Sequence, residues 1–149
     1  MDSQPFDSFL VLGSGSKTSP DDGRLTVREI YDLRLDADLV VLSACGSALG
    51  NVTGDGIVGL TRAFFYAGTP SILATLWDVA DEPTRQLVSE FYRVYLGGAT
   101  RSGALRAAQL RLLRQLREGR LSVKTPLGDV KLPEDPRLWA GVALLGEPR

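Results

Sequence analysis

Two short runs of apolar residues most constrain the fold of this chain. Leu39–Leu42 has no polar residue, and in Ser71–Trp77 only the first residue, Ser71, and Thr75 are polar. A strand that is apolar on both faces is typical of a parallel sheet covered by helices on each side. We therefore predict an α/β fold with a mostly parallel sheet flanked by helices.

Segments with helical periodicity alternate with these runs. Thr26 and Glu29 have the spacing of a capping box, which predicts a short helix ending at about Leu33. Asp55 and Asp81 are candidate caps, the latter followed by an acid and an early proline. The three longer predicted helices begin at Asp55, Asp81 and Arg101 and end at Gly68, Gly97 and Arg117.

The ends of the chain carry weaker strand signals. Phe9–Leu12 predicts a strand, and Gly13–Gly23 is rich in turn residues. Ser122–Leu132 predicts a hairpin, and Trp139–Leu145 predicts the last strand.

Composition limits the compartment and the partners. The chain has 149 residues, a net charge of −1 and one cysteine, so it forms no internal disulfide and suits a reducing compartment. We find no secretory signal near Met1, and no apolar run approaches the roughly 18 residues of a membrane span. We therefore predict a single-domain cytoplasmic protein that binds neither nucleic acid nor membranes.

Cys45 is the most informative single residue. It lies just after the apolar run that ends at Leu42 and is followed by Gly46 and Ser47. A cysteine here is either a small buried hydrophobic residue or a nucleophile at the carboxyl end of a strand. A nucleophile needs a base, and the chain contains no histidine.

The glycine-rich stretch Gly54–Gly56 does not predict a nucleotide site. It lacks the lysine and hydroxyl residue of a P-loop and the order of a dinucleotide-binding loop. We predict no cofactor and no metal.

Trp77 ends the second apolar run, and Asp78 and Asp81 follow it. All three are candidate pocket residues, and Trp77 is alternatively a core residue. The position of Asp81 favours a cap of the helix that begins there over a pocket role, and Asp78 either forms hydrogen bonds within its loop or lines the pocket. A group of arginines on the third helix forms either a solvated face or a docking surface for a partner. Its members are Arg101, Arg106, Arg111, Arg114 and Arg117.

From Phe9 onward the sequence resembles the C-terminal part of a CHAT domain, a caspase-like family related to separase and placed with the clan CD peptidases. The matching stretches keep the order and spacing of the family. They are Asp22–Ile30, Leu39–Cys45, Gly54–Phe64, Ala67–Asp81, Ala104–Leu110 and Pro136–Ala140.

The resemblance implies a cysteine endopeptidase with a histidine–cysteine dyad. Cys45 corresponds to the nucleophile, and Gly46 and Ser47 to the loop beside it that forms the oxyanion hole. Trp77, Asp78 and Asp81 correspond to a stretch that in separase helps to bind a basic P1 side chain. The family's histidine lies before the segment that matches here, so residues 1–149 are expected to be one partial CHAT domain, truncated at its N-terminal side and inactive alone.

The resemblance also implies partners. CHAT domains are often fused to TPR repeats and occur in bacterial proteins, and the substrate is expected to be a protein or peptide. Without the strand that carries the histidine, Leu39–Leu42 would form an apolar sheet edge, so we expect self-association or binding of the missing N-terminal half. The alternative function is a non-catalytic scaffold that keeps the fold around Cys45.

Overall fold

A computed structural model of the chain describes residues 8–13, 22–43, 54–126 and 128–149. These residues form a mixed α/β structure of helices and small sheets. The chain divides into two compact units, Met1–Ala74 and Thr75–Arg149. Cys45, Gly46 and Ser47, together with most of the predicted turn Gly13–Gly23, lie outside the described residues.

The first unit contains two strand pairs and two helices. Its elements are β1 (Phe9–Val11), β2 (Arg24–Thr26), α1 (Val27–Asp32), β3 (Val40–Leu42), α2 (Gly54–Tyr66) and β4 (Ser71–Thr75), the last of which ends at the start of the second unit. β1 and β2 pair antiparallel, with Phe9 opposite Thr26. The sequence did not predict β2, and this antiparallel pair forms a small sheet of its own.

The two apolar runs form a parallel pair, as predicted. Val40 of β3 lies opposite Ile72 of β4, and Leu42 lies opposite Ala74. All five residues of β4 are buried, whereas the three residues of β3 are only half-buried. β4 ends at Thr75, two residues before the predicted end at Trp77.

Local sequence signals mark the start of α1 and the end of α2. The side-chain oxygen of Thr26 accepts a hydrogen bond from the Glu29 backbone, and the Glu29 carboxylate accepts one from the Thr26 backbone at 2.7 Å, which confirms the predicted capping box. α2 begins at Gly54, one residue before the predicted cap Asp55, and ends before Gly68. Gly68 has φ +112° and lies against the Leu35 carbonyl, where a Cβ atom would come within 2.9 Å of its oxygen.

The second unit is built on a helical hairpin. Its elements are α3 (Asp81–Leu96), α4 (Arg101–Arg117), β5 (Ser122–Thr125), β6 (Gly128–Lys131), α5 (Pro136–Trp139) and β7 (Val142–Gly146). α4 has the predicted bounds, and β5 and β6 form the predicted hairpin, with Val123 opposite Val130.

The core of this unit lies between α3 and α4. From α3, Leu87 and Phe91 are fully covered, and from α4 a stripe of apolar side chains at helical spacing is buried. Its members are Ala104, Leu105, Ala108, Leu112 and Leu116. Tyr92, next to Phe91 on α3, is 38% exposed.

Two predictions fail in the second unit. The predicted strand Trp139–Leu145 begins only at Val142, because Pro136–Trp139 forms the short helix α5 instead. Asp81 is not a cap: the N-cap of α3 is Ala80, with no side-chain hydrogen bond, and Asp81 is the first helical residue. A carboxylate in the first turn still stabilises the helix through the macrodipole.

Candidate functional site

The segment directly after β4 contains the three candidate pocket residues that the structure describes. Trp77, Asp78 and Asp81 lie within five consecutive positions, between the end of β4 and the first residue of α3. All three are exposed, Trp77 by 40%. The structure therefore presents the predicted substrate-binding residues at an accessible surface.

Two hydrogen bonds fix this segment to the region around α5. The backbone N–H of Leu76 donates to the carbonyl of Gly141 at 2.8 Å. The indole Nε1 of Trp77 donates to the carbonyl of Arg137 at 3.2 Å. The orientation of the Trp77 ring is thus set by a carbonyl of α5, and the Leu76 backbone is held by the turn between α5 and β7.

Gly141 makes this close approach possible. A Cβ atom at this position would come within 2.6 Å of Cγ1 of Val79 and within 3.0 Å of Nε1 of Trp77. No side chain larger than hydrogen fits without moving these neighbours. No sequence pattern pointed to Gly141, which lies directly after the Pro136–Ala140 stretch of the resemblance.

The short helix α5 is held by charged groups. Asp135 caps it by accepting a hydrogen bond from the backbone of Arg137 at 2.9 Å, and its carboxylate also pairs with the Arg137 guanidinium at 2.6 Å. The side-chain hydrogen bond from Arg137, with the backbone bond second, holds the pKa of Asp135 below its ordinary value. The carboxylate is therefore charged in the folded chain at neutral pH, and it caps the short helix whose Arg137 carbonyl accepts the hydrogen bond from Trp77.

The predicted nucleophile and the loop beside it lie outside the described residues. Ser43 and Ala44 separate Leu42, the last residue of β3, from Cys45, which Gly46 and Ser47 follow. Among the residues that the structure describes, no group of three or more histidine, cysteine or acidic side chains is placed to hold a metal ion. None of the described helices has the length and apolar composition needed to cross a bilayer.

Comparison with known families decides the classification. The sequence model of the CHAT domain matches residues 2–147, and so covers nearly all of the chain. This chain belongs to the CHAT domain family. The match extends over both compact units, and it confirms the resemblance found in the sequence.

Two curated relatives of this CHAT domain are both tetratricopeptide repeat proteins. Tetratricopeptide repeat protein 28 of Mus musculus is 36% identical over 122 residues, and the protein of the same name from Homo sapiens is 32% identical over 122 residues. Each alignment covers 82% of this chain but 4% of the relative. The CHAT domain described here thus spans a small part of the length of these relatives. No solved structure matches it.

Proposed function

We propose that this CHAT domain is the C-terminal portion of a cysteine endopeptidase in which Cys45 is the nucleophile. Cys45 follows Leu42, the last residue of β3, by three positions. Because β3 and β4 are parallel and Leu42 lies opposite Ala74, the two strands end at the same edge of the sheet. This register is the observation that carries the proposal, since ligands of open parallel sheets bind at the carboxyl ends of the strands.

The chemistry of a thiol explains why the chain alone is expected to be inactive. A free cysteine has a pKa of about 8.5, so only a small fraction is thiolate at neutral pH. Cysteine peptidases add an imidazole that removes the thiol proton and later protonates the leaving amine. The chain has no histidine, so this base has to come from outside the 149 residues. Backbone N–H groups of Gly46 and Ser47 are the proposed donors to the oxyanion.

We also propose that the exposed segment after β4 selects the residue before the cleaved bond. Asp78 and Asp81 offer carboxylates to an arginine or lysine side chain, and Trp77 offers an apolar wall. The substrate is then a protein or peptide with a basic P1 residue. Asp81 is not used as a helix cap, which removes one competing role.

We extend the proposal to the fold, to the rest of the domain and to the partners. Residues 1–149 are one partial CHAT domain with a caspase-like fold, completed by an N-terminal half that brings the histidine. The names of the relatives support an association with TPR repeats. We place the protein in the cytoplasm because a single free cysteine suits a reducing compartment.

The test compares the 149-residue chain with the longest native reading frame that contains it. Each is incubated with a fluorogenic peptide that has arginine at P1, and each is also prepared as Cys45→Ala. We expect turnover only from the longer polypeptide and complete loss of it on Cys45→Ala. Turnover that survives Cys45→Ala would show that Cys45 is not the nucleophile.

A second function, a non-catalytic scaffold, is favoured by the absence of histidine from the chain. In that case the longer polypeptide would cleave no peptide, although it folds cooperatively. Alkylation of Cys45 separates the two functions further. In a peptidase, the longer polypeptide reacts with iodoacetamide at a lower pH than the 149-residue chain, because the imidazole lowers the pKa of the thiol. In a scaffold, the two react alike.

A further inference from the structure

The second unit carries a basic groove between α3 and α4. Its volume is about 600 Å³. We call it the arginine groove and define it by five exposed residues that line it, Arg93, Arg106, Arg111, Arg114 and Arg120. Of the arginines that the sequence pointed to on this helix, Arg106, Arg111 and Arg114 line the groove.

The positive charge of the groove is local. The acids that line it are Glu90 and Glu118, so five arginines face two glutamates. The whole chain, by contrast, has a net charge of −1. A concave surface with one excess sign of charge attracts partners of the opposite sign at close range.

Both glutamates are already paired with arginines of the groove. The Glu90 carboxylate, whose side chain is only 13% exposed, accepts hydrogen bonds from Arg93 at 2.6 Å and from Arg111 at 3.4 Å. The bond from Arg93 is the main cause that lowers the pKa of Glu90. Glu118 pairs with Arg120 at 3.0 Å.

Arg106 and Arg114 have no acidic partner among the described residues. Nε of Arg114 donates to the Leu110 carbonyl at 3.3 Å on its own helix, which leaves its terminal N–H groups for a ligand. Arg106, Leu110 and Arg114 are spaced four residues apart, so they form one row along α4. The row thus has an apolar side chain, 39% exposed, between two guanidinium groups.

The dimensions of this row specify a ligand. Eight residues of an α-helix span about 12 Å, which an extended peptide covers in about four residues. We propose that the arginine groove docks an acidic peptide segment in which two carboxylate side chains, about four residues apart, flank an apolar side chain. The carboxylates pair with Arg106 and Arg114, and the apolar side chain packs on Leu110, Ala107 and Val94.

A peptide fits this surface better than a nucleic acid does. The residues that line the groove include no aromatic side chain on which a base can stack. They do include three apolar side chains, which a phosphodiester backbone does not use. The residues that define the arginine groove include neither Cys45 nor the segment after β4, so binding is measured without any turnover.

The test is a fluorescence polarisation titration of the intact chain with a labelled synthetic peptide. The peptide has two glutamates four positions apart and a leucine midway, and its control has glutamines in place of the glutamates. We expect the double variant Arg106→Glu/Arg114→Glu to bind at least about tenfold more weakly. The matched control, Arg28→Glu/Arg34→Glu, makes the same change of charge on exposed arginines of the first unit and leaves affinity within about twofold.

Further measurements keep the outcomes distinct. Circular dichroism melts verify that the variants fold, and Arg106→Gln/Arg114→Gln repeats the loss without reversing charge. Cys45→Ala should leave peptide affinity unchanged, so failure of the peptidase proposal does not alter this result. Any one of four results would overturn the proposal. They are equal losses in the two double variants, equal binding of the glutamine peptide, no binding of the glutamate peptide, and tighter binding of a single-stranded oligonucleotide of matched charge.

Discussion

The Trp77 indole and the Arg137 carbonyl are joined by a hydrogen bond of 3.2 Å across 60 residues of sequence. Trp77 is the first of the three proposed substrate-binding residues, and Arg137 belongs to α5. The ring of Trp77 is therefore oriented by a short helix near the end of the second unit. Substitutions around α5 should therefore alter the candidate site even though they replace no residue that is proposed to meet substrate.

Gly141→Ala tests this connection. The added methyl group would lie within 2.6 Å of Val79 and 3.0 Å of the Trp77 indole nitrogen, so one of them has to move. We expect a loss of about 1–3 kcal/mol in the free energy of unfolding, as for other overpacked positions. Urea denaturation followed by circular dichroism measures the loss, and a Trp139→Phe background isolates the Trp77 fluorescence, which should change.

Gly98→Ala is the matched control. Gly98 has φ +96° and no atom within 4 Å of an added Cβ, so its cost comes from the backbone alone. We expect about 1 kcal/mol for that strain and no change in Trp77 fluorescence. A Gly141→Ala protein as stable as wild type, with unaltered fluorescence, would show that the contact does not constrain Trp77.

The proposed preference for a basic P1 residue predicts a selective defect. In the longer polypeptide, Asp78→Asn and Asp81→Asn should each lower kcat/KM for an arginine substrate by about tenfold or more, because a charged hydrogen bond is lost. Cleavage of a substrate with glutamine at P1 should change little. Glu82→Gln is the control, because the Glu82 carboxylate is already bound to Arg85 at 2.6 Å. Equal effects of Asp81→Asn and Glu82→Gln would remove Asp81 from the pocket.

Strong local signals in the sequence predicted much of the second unit. The bounds of α4 follow from its apolar stripe and from the change to Glu118–Gly119 at its end. Gly97 and Gly98 end α3 as predicted, and Gly128, with φ +116°, lies at the turn of the β5–β6 hairpin. In these places propensity, periodicity and glycine geometry favour the same structure.

The failures have local or long-range causes. The Asp135–Pro136 pair, a cap followed by a proline at the first helical position, is a local signal for α5 that competes with the predicted strand from Trp139. β2 has only three residues and no clear alternation, so pairing with β1 decides its conformation. The bond between Trp77 and Arg137 was not predictable from either local sequence, since it depends on how distant segments pack.

The capping box of α1 predicts a pH-dependent contribution to stability. Hydrogen bonds from Thr26, first from its backbone and then from its side chain, hold the pKa of Glu29 below its ordinary value. The stabilisation is therefore complete above the pKa of the unfolded chain, about 4.3, and is lost as pH falls through the lower folded pKa.

Glu29→Gln measures this contribution. Urea midpoints of wild type and variant should differ at neutral pH, with wild type the more stable, and should converge as the pH falls below about 4. Arg28→Gln, next to it on the exposed face of α1, is the control and should show no such convergence. A constant difference between wild type and Glu29→Gln across this range would mean that the carboxylate charge contributes nothing to the cap.

The half-buried strand β3 predicts self-association. On one side β3 pairs with β4, and on its other side no strand follows among the residues that the structure describes. Val40, Val41 and Leu42 are apolar yet only partly covered, and an open edge of this kind pairs readily with another chain. We expect sedimentation velocity to show dimers or larger species that increase with protein concentration. Backbone pairing should persist at high salt, whereas association through the arginine groove would weaken.

Two substitutions locate the association on β3. Val40→Lys and Val41→Lys place a charge on opposite faces of the strand, and at least one of them should shift the protein towards monomer, because a lysine on an edge strand opposes pairing. Val11→Lys is the matched control, since Val11 is 55% exposed on a different strand pair. A wild-type chain that sediments as a monomer at every concentration, with a cooperative unfolding transition, would show that the β3 edge is covered by the chain itself.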